Sequence, residues 1–311
     1  MNAIVPPFLK SGDTIGVVAS ARWITPDVFE ATAALFETWG FKTVASENLF
    51  TRDYQLAGDA EIRCRSVQQM LNDPAIDAIV IARGGYGTVH IIDDLDFSAF
   101  KTNPKWICGY SDITVLHAHL NKMGVATIHS TMPVSFKAAT EEALENLRLA
   151  LTGQLKEIRF GNAYSTSSLD DYTLPVYGGN LSVLDSLLGS NSLEMRGEYY
   201  LFIEDVDEMY YHIDRLFTSL KRGGILKRAR GIILGGMTQM KDNTLEFGFE
   251  TENPWGHDAV TTINRISGEL GIPVYAGFPA GHQDDNRAFY LGLPSKLSVA
   301  DNAYVLQFQH L

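Results

Sequence analysis

Three polar residues stand where the pattern of this chain changes, and their types suit acyl transfer. Ser111 lies in KWICGYSDITVLHAHL, after the strand-type run Trp106-Ile107-Cys108 and directly ahead of a helix-type pattern. Serine is a preferred N-cap residue, and Asp112 stands where an acid complements the helix dipole, so a cap alone would account for both. The same strand-to-helix turn would also present the hydroxyl at the end of a sheet, beside unpaired backbone N–H groups able to hold an oxyanion. The G-x-S-x-G elbow of the alpha/beta-hydrolases is not matched, because Ile113 takes the place of its second glycine.

A serine hydroxyl needs a base. His282, in AGFPAGHQDDN, follows a strand signal and sits in a Gly- and Pro-rich loop, where scaffolds hold working residues. As an isolated residue it reads equally as an exposed loop histidine. The other histidines are weaker candidates: His117 and His119 fall inside a helix pattern, His129 closes a short strand, His212 is mid-helix and His310 is at the tail. Glu204 ends the apolar run YLFIEDVDE, where a carboxylate would be partly buried and could orient and charge a histidine. The neighbouring acids Asp205, Asp207 and Glu208 also fit a solvated strand end, with Arg215 available to pair with one of them.

The glycine-rich ARGGYG, Ala82 to Gly87, lacks both the G-x-G-x-x-G spacing and the Lys-Ser/Thr ending of a phosphate loop. Gly84 and Gly85 instead permit close backbone approach, suited to aiming an N–H at an oxyanion. The histidines show no metal-ligand spacing and no H-E-x-x-H occurs. Neither metal nor cofactor is expected, and metal-free acyl transfer is the chemistry left.

The elements that must position these residues are those of an α/β protein. TIGVVAS, KTVASE, AIDAIVIARGG, KWICGY and ATIHST read as strands, alternating with helix patterns at TPDVFEATAALFETWGF, DAEIRCRSVQQMLND, the stretch behind GYSD, and EEALENLRLALTG. That alternation predicts a doubly wound, mostly parallel sheet over residues 1–153, with ligands outside the carboxyl ends of its strands, where both ARGGYG and GYSD lie. Residues 154–177 turn polar and read as a linker. Residues 178–311 resume with helices at LSVLDSLLGS, MYYHIDRLFTSLKRGG and AVTTINRISGELG. Strands are expected there at EYYLFIEDV, GIILGGM, PVYAGF, FYLGL and AYVLQFQ, forming a smaller second α/β domain with the site in the cleft between the two.

At 311 residues, 45% hydrophobic and 20% charged, the chain can bury a large core. A net charge of -12 with no basic run argues against a nucleic-acid partner. Two cysteines, Cys64 and Cys108, support neither a disulfide framework nor a thiolate site and fit a reducing compartment. The N-terminus lacks the features of a secretory signal, and no apolar stretch approaches the roughly 20 residues of a membrane span. The expected location is the cytoplasm.

Several segments in order, IVPPFLKSGDTIGVVAS, IARGGYGTVHIIDDLDF, WICGYSDITVLH, YGGNLSVLDSLLGS with YYLFIEDVDEMYYHIDRLFTSL, and AGFPAGHQDDNRAFYLG, resemble the serine LD-carboxypeptidase family, which also contains the microcin C immunity peptidases. The resemblance implies a nucleophile at Ser111, with Glu204 and His282 completing the triad. It also implies an oxyanion hole from the backbone N–H groups of Asp112 and of the RGGYG turn, Gly85 rather than Gly84. The implied substrate is a murein tetrapeptide, L-Ala-D-Glu-diaminopimelate-D-Ala, losing its terminal D-Ala in cell-wall recycling. Arg83 is a candidate for the free carboxylate, with Gly84 and Asn180 as further substrate contacts. Arg83 reads equally well as the partner of a neighbouring acid. The family commonly forms homodimers. The immunity branch, which cleaves an aminoacyl-nucleotide toxin, is the alternative, with Tyr164, Tyr172 or Tyr177 available to stack on a base. A non-catalytic cell-wall peptide binder is a third, disfavoured by the intact triad.

Overall fold

In a computed structural model of the chain, residues 3–161 and 172–309 are described. The first half follows the expected alternation: β1 (Thr14–Val18), α1 (Pro26–Thr38), β2 (Lys42–Ala45), α2 (Ala60–Asn72), β3 (Ala78–Ile81), α3 (Ser98–Thr102), β4 (Trp106–Gly109), α4 (Thr114–Lys122), β5 (Thr127–His129) and α5 (Glu141–Leu151). It continues through β6 (Glu157–Phe160), β7 (Thr173–Asn180), α6 (Leu181–Ser186), β8 (Tyr199–Val206), α7 (Tyr210–Arg222), β9 (Ala229–Thr238), α8 (Ala259–Glu269), β10 (Val274–Ala276), β11 (Phe289–Leu291), β12 (Pro294–Ala300) and β13 (Ala303–Phe308).

Local chemistry sets several of the boundaries. Pro26 opens α1, where its missing N–H costs nothing. The side chains of Asp59, Thr140 and Asp258 accept from the N–H groups of Ile62, Ala143 and Thr261 and so start α2, α5 and α8. β3 (AIVI) and β4 (WICG) are buried at every position, as strands covered on both faces must be.

Two sheets result. The first runs β11-β5-β4-β3-β1-β2, parallel except for β11, which lies antiparallel to β5. The second runs β10-β9-β8-β7-β12-β13-β6, parallel from β10 to β7 and antiparallel beyond. The doubly wound layout is therefore present, with two differences from the sequence reading. The stretch 154–177, expected as a linker, contributes β6 and the start of β7 to the second sheet. FYLGL supplies β11 to the first sheet rather than to a C-terminal one. One apolar cluster, including Trp106, Phe202, Phe278, Phe289 and Tyr290, runs through both sheets.

This strand exchange positions the site. Between β10 of the second sheet and β11 of the first, the chain passes from one sheet to the other, and His282 lies on that passage. Among the described residues no helix is long and apolar enough to cross a membrane.

Candidate active site

Ser111 occupies a one-turn 3-10 segment, Ser111–Ile113, between β4 and α4. It has φ 65°, a left-handed conformation that costs a non-glycine residue of order 1–3 kcal/mol. It makes no side-chain cap bond, and α4 begins at Thr114 with no such bond either. The cap reading of this serine is thus replaced by a strained turn that turns Oγ toward the second sheet.

There the hydroxyl meets His282: Ser111 Oγ is 3.1 Å from Nε2, and His282 Nδ1 is 2.7 Å from Glu204 Oε2. Because a carboxylate only accepts, Nδ1 carries the proton, and Nε2 is left to accept from the serine hydroxyl. The His282 backbone N–H also donates to Glu204 Oε2, at 3.2 Å, so one oxygen holds the ring and the loop together. Glu204 is fully buried near the end of β8, and Gly281, at φ 119°, leaves it room: a Cβ there would stand 2.8 Å from Glu204 Cβ and Oε2. Burial pulls the His282 pKa down, but the hydrogen bond and charge of Glu204, helped by Asp205, outweigh it and leave the pKa raised above 6.5. Tyr110 packs against the imidazole, its ring centroid 4.9 Å away.

Asp112 does not complement the helix dipole in the way its position suggested. Its buried carboxylate reaches back to the RGGYG turn, accepting from Thr88 Oγ1 (2.6 Å), Thr88 N (2.9 Å) and Gly87 N (3.3 Å). This ties the turn after β3 to the turn after β4. A Cβ on Gly84 would lie 3.3 Å from Ser111 Cβ and 3.5 Å from Asp112 N, which measures how closely the two turns approach. Gly85 follows at φ 109°. Neither the Gly85 nor the Asp112 N–H donates to a carbonyl in the turn and loop bonds of the described residues, which keeps both as candidate donors to an oxyanion.

Three supporting residues were not singled out from the sequence. Arg63, on α2, is 1% exposed and donates to the carbonyls of Ser20 (2.8 Å), Gly87 (2.7 Å) and Gly58 (3.3 Å), buttressing the glycine turn from behind. The detectable signal was its phase, for it shares the buried face of α2 with Val67 and Met70. Thr88 receives Asp112, and Arg22 packs on Gly85. His117 also proves structural: it bonds Thr127 Oγ1 and the Gly109 carbonyl, each at 2.9 Å, and burial pulls its pKa down to about 4.

Other candidates are placed as follows. Arg83 is half-buried and donates to the Trp23 carbonyl at 3.4 Å. Asn180 is buried; its Oδ1 caps α6 through Val183 N, its Nδ2 donates to Asp205 at 2.8 Å, and its N–H donates to Thr114 Oγ1 at 3.0 Å. At most one amide hydrogen of Asn180 is left for a ligand. Arg215 forms no ion pair with the 204–208 acids; its guanidinium lies 5.7 Å over the Tyr211 ring, while Asp207 pairs with Lys241 and Glu208 with His212. Tyr172 lies under Arg230 and Tyr177 packs on Tyr199, whereas Tyr164 and His310 fall outside the described residues.

A strained serine, a histidine and a buried glutamate in a hydrogen-bonded relay form the kind of constellation a serine hydrolase uses, and the Gly85 and Asp112 N–H groups beside it are the candidate oxyanion donors. Comparison with known proteins specifies the class. Residues 15–130 match the LD-carboxypeptidase N-terminal domain and residues 175–297 the LD-carboxypeptidase C-terminal domain. The chain belongs to the LD-carboxypeptidase family and is a serine carboxypeptidase. The probable murein peptide carboxypeptidase of Bacillus subtilis is 30% identical over 313 residues, covering 97% of this chain and 94% of that protein. The microcin C7 self-immunity protein MccF of Escherichia coli is 25% identical over 333 residues, covering 94% and 91%. The crystal structure of muramoyltetrapeptide carboxypeptidase from Oxalobacter formigenes shares the fold, with a TM-score of 0.81 at 23% identity over 94% of this chain and 98% of that one.

Proposed function

We propose that this protein is an LD-carboxypeptidase that removes the terminal D-Ala from murein tetrapeptide through a Ser111-His282-Glu204 acyl-enzyme mechanism. The observation that carries the proposal is the continuous relay from Glu204 Oε2 through the imidazole to Ser111 Oγ, at 2.7 and 3.1 Å.

In the proposed reaction His282 Nε2 takes the Ser111 proton as Oγ attacks the carbonyl carbon of the diaminopimelate residue. The developing oxyanion is held by the N–H groups of Gly85 and Asp112, each worth roughly 3–4 kcal/mol in comparable sites. The tetrahedral intermediate collapses as His282 hands the proton to the departing amine of D-Ala, leaving an ester on Ser111. A water, deprotonated by the same nitrogen, then hydrolyses that ester. Glu204 keeps the imidazole in the productive tautomer and stabilises its cation. Arg83 would receive the peptide end, with Gly84 and the remaining amide hydrogen of Asn180 as the further proposed contacts.

A murein substrate is favoured over an aminoacyl-nucleotide by the higher identity to the murein peptide carboxypeptidase relative, 30% against 25%. The proposal also takes in a homodimer, carried over from the family likeness and read by light scattering of the purified chain, and a cytoplasmic location, carried over from the cysteine usage and the N-terminal sequence. The deciding experiment is mass spectrometry of the protein incubated, without added metal, with L-Ala-γ-D-Glu-meso-diaminopimelate-D-Ala beside a Ser111→Ala control. Loss of one D-Ala with the wild type alone is expected. No loss with either directs the search to a peptidyl-nucleotide, and binding without cleavage of any substrate would replace the enzyme reading by a peptide-binding one.

A further inference from the structure

In the first sheet the chain order reverses between β1 and β3, since β1 pairs with β2 on one side and with β3 on the other. Ligands of open parallel sheets bind in the crevice at the carboxyl ends of the two strands flanking such a reversal. Those ends carry an arginine each: Arg22 four residues past Val18 and Arg83 two past Ile81.

The two guanidinium groups are close enough that Arg22, after burial, is a further cause of the lowered pKa of Arg83. Neither forms an ion pair among the described residues. Arg148, Arg159, Arg196, Arg230, Arg265 and Arg287 pair with carboxylates and the buried Arg63 bonds three carbonyls; Arg52, Arg65, Arg215, Arg222 and Arg228 also lack an ion pair among the described residues, but Arg22 and Arg83 differ from these in adjoining each other beside the glycine turn. Two adjacent half-buried cations without an acid repel each other, and a bound anion relieves that repulsion. Their position also fits. Arg22 lies directly on the oxyanion turn, since a Cβ on Gly85 would stand 2.9 Å from Arg22 Cζ. In a C-terminal residue the carboxylate carbon is only about 2.5 Å from the scissile nitrogen, across one Cα. A receptor for that carboxylate must therefore border the oxyanion turn.

We infer that Arg22 and Arg83 together form the receptor for the terminal carboxylate of the leaving D-amino acid, and that this pair makes the enzyme a carboxypeptidase rather than an endopeptidase. The inference rests on the proposed cleavage reaction and adds Arg22 as a specificity-determining residue. Arg83 is held by the Trp23 carbonyl, and Trp23 is covered in turn by the Arg52 guanidinium, 4.0 Å over its ring. The receptor is thus supported from outside.

The test measures kcat/KM for the murein tetrapeptide and for the same peptide with its terminal carboxylate converted to an amide. Wild type, Arg22→Met, Arg83→Met and the lysine variants Arg22→Lys and Arg83→Lys are compared. The expected acid-to-amide preference of the wild type is about 100-fold or more, falling about tenfold or more in each methionine variant and less in the lysine ones. An unchanged preference in both methionine variants overturns the inference. Should the wild type cleave neither peptide, the reaction proposed above fails, and the receptor is then judged by calorimetric titration with D-alanine and D-alaninamide. Binding of D-alanine alone, lost in both methionine variants, upholds it; binding of neither, or equal binding by all the proteins, overturns it.

Discussion

The two sheets contribute to the candidate active site in different ways. The first sheet supplies backbone: the turns after β3 and β4 bring Gly85, Gly87, Gly109 and Ser111 into positive-φ conformations, and one buried carboxylate, Asp112, ties these turns together. The second sheet and the passage out of it supply side chains: Glu204 fully buried, His282 hydrogen-bonded to it, and a pKa raised by that contact. The difference teaches where each half is vulnerable. The backbone half should fail when atoms are added or its tie is cut, the side-chain half when charge is removed.

Ser111 is where the halves meet, and its loss should be the largest effect. Ser111→Ala should lower kcat by about 10⁴-fold or more while the chain stays folded, because alanine keeps the Cβ and the same backbone turn and loses only the one hydrogen bond of Oγ to His282. D-Ala release assayed beside circular dichroism checks both parts. Comparable activity in this variant would mean that the nucleophile lies elsewhere.

Glu204→Gln should cost on the order of 10³–10⁴-fold in kcat, since an amide can stabilise the wrong tautomer and cannot balance an imidazolium. It carries a second signature that a structural role would not produce. The base must be neutral, so kcat/KM rises with pH through the His282 pKa, which Glu204 holds above 6.5. With Glu204 neutralised, burial, which lowers that pKa, dominates. The acid limb should then move to lower pH even as the plateau falls. A limb that stays in place would detach Glu204 from the titrating group.

How much of this was legible in the sequence divides along the same line. That Ser111, Glu204 and His282 come together was readable, though by their ordered motifs rather than by spacing: 92 residues lie between Ser111 and Glu204 and nothing local links them. The parallel first sheet was readable because its central strands β1, β3 and β4 are nearly continuous apolar runs. The tie made by Asp112 was not, since an acid after a serine at a helix start has an adequate local explanation, and only the fold reveals that Thr88 lies opposite. Arg63 was hidden for a related reason. A charged residue on the apolar face of a helix is ordinarily a misfit, and its burial makes sense only once the carbonyls of Ser20, Gly58 and Gly87 are known to converge on it. The two strands β6 and β12 escaped because each pairs with β13 at the far side of the second sheet, where polar residues alternate along an edge-like ribbon.

Gly281→Ala separates crowding from charge in the side-chain half. Gly281 is held at φ 119°, and an added methyl would meet Glu204 Cβ and Oε2 at 2.8 Å. The carboxylate is then displaced with its charge intact. A misplacement of this kind should cost about 10²-fold in kcat, less than removal of the charge, while the acid limb of the pH profile stays nearer that of the wild type than in Glu204→Gln. If Gly281→Ala and Glu204→Gln behaved alike in both readouts, position rather than charge would be what Glu204 contributes.

The smallest effect is expected from Asp112→Asn, which probes the tie in the backbone half. The amide can still accept one bond from the Thr88 N–H or Oγ1, but its NH2 group faces donors and cannot serve as the second acceptor for Gly87 N and Thr88. The loss of one charge-assisted bond should destabilise the fold by about 1–3 kcal/mol, read as a shift in the urea midpoint, and loosen the glycine turn. Because the turn carries the proposed oxyanion donor and borders the Arg22–Arg83 pair, kcat should fall by roughly tenfold without movement of the acid limb, since His282 and Glu204 are untouched. A drop in stability with full activity would show that the tie serves folding alone. A shifted acid limb would instead mean that the two halves are coupled through Ser111 more tightly than their separate construction implies.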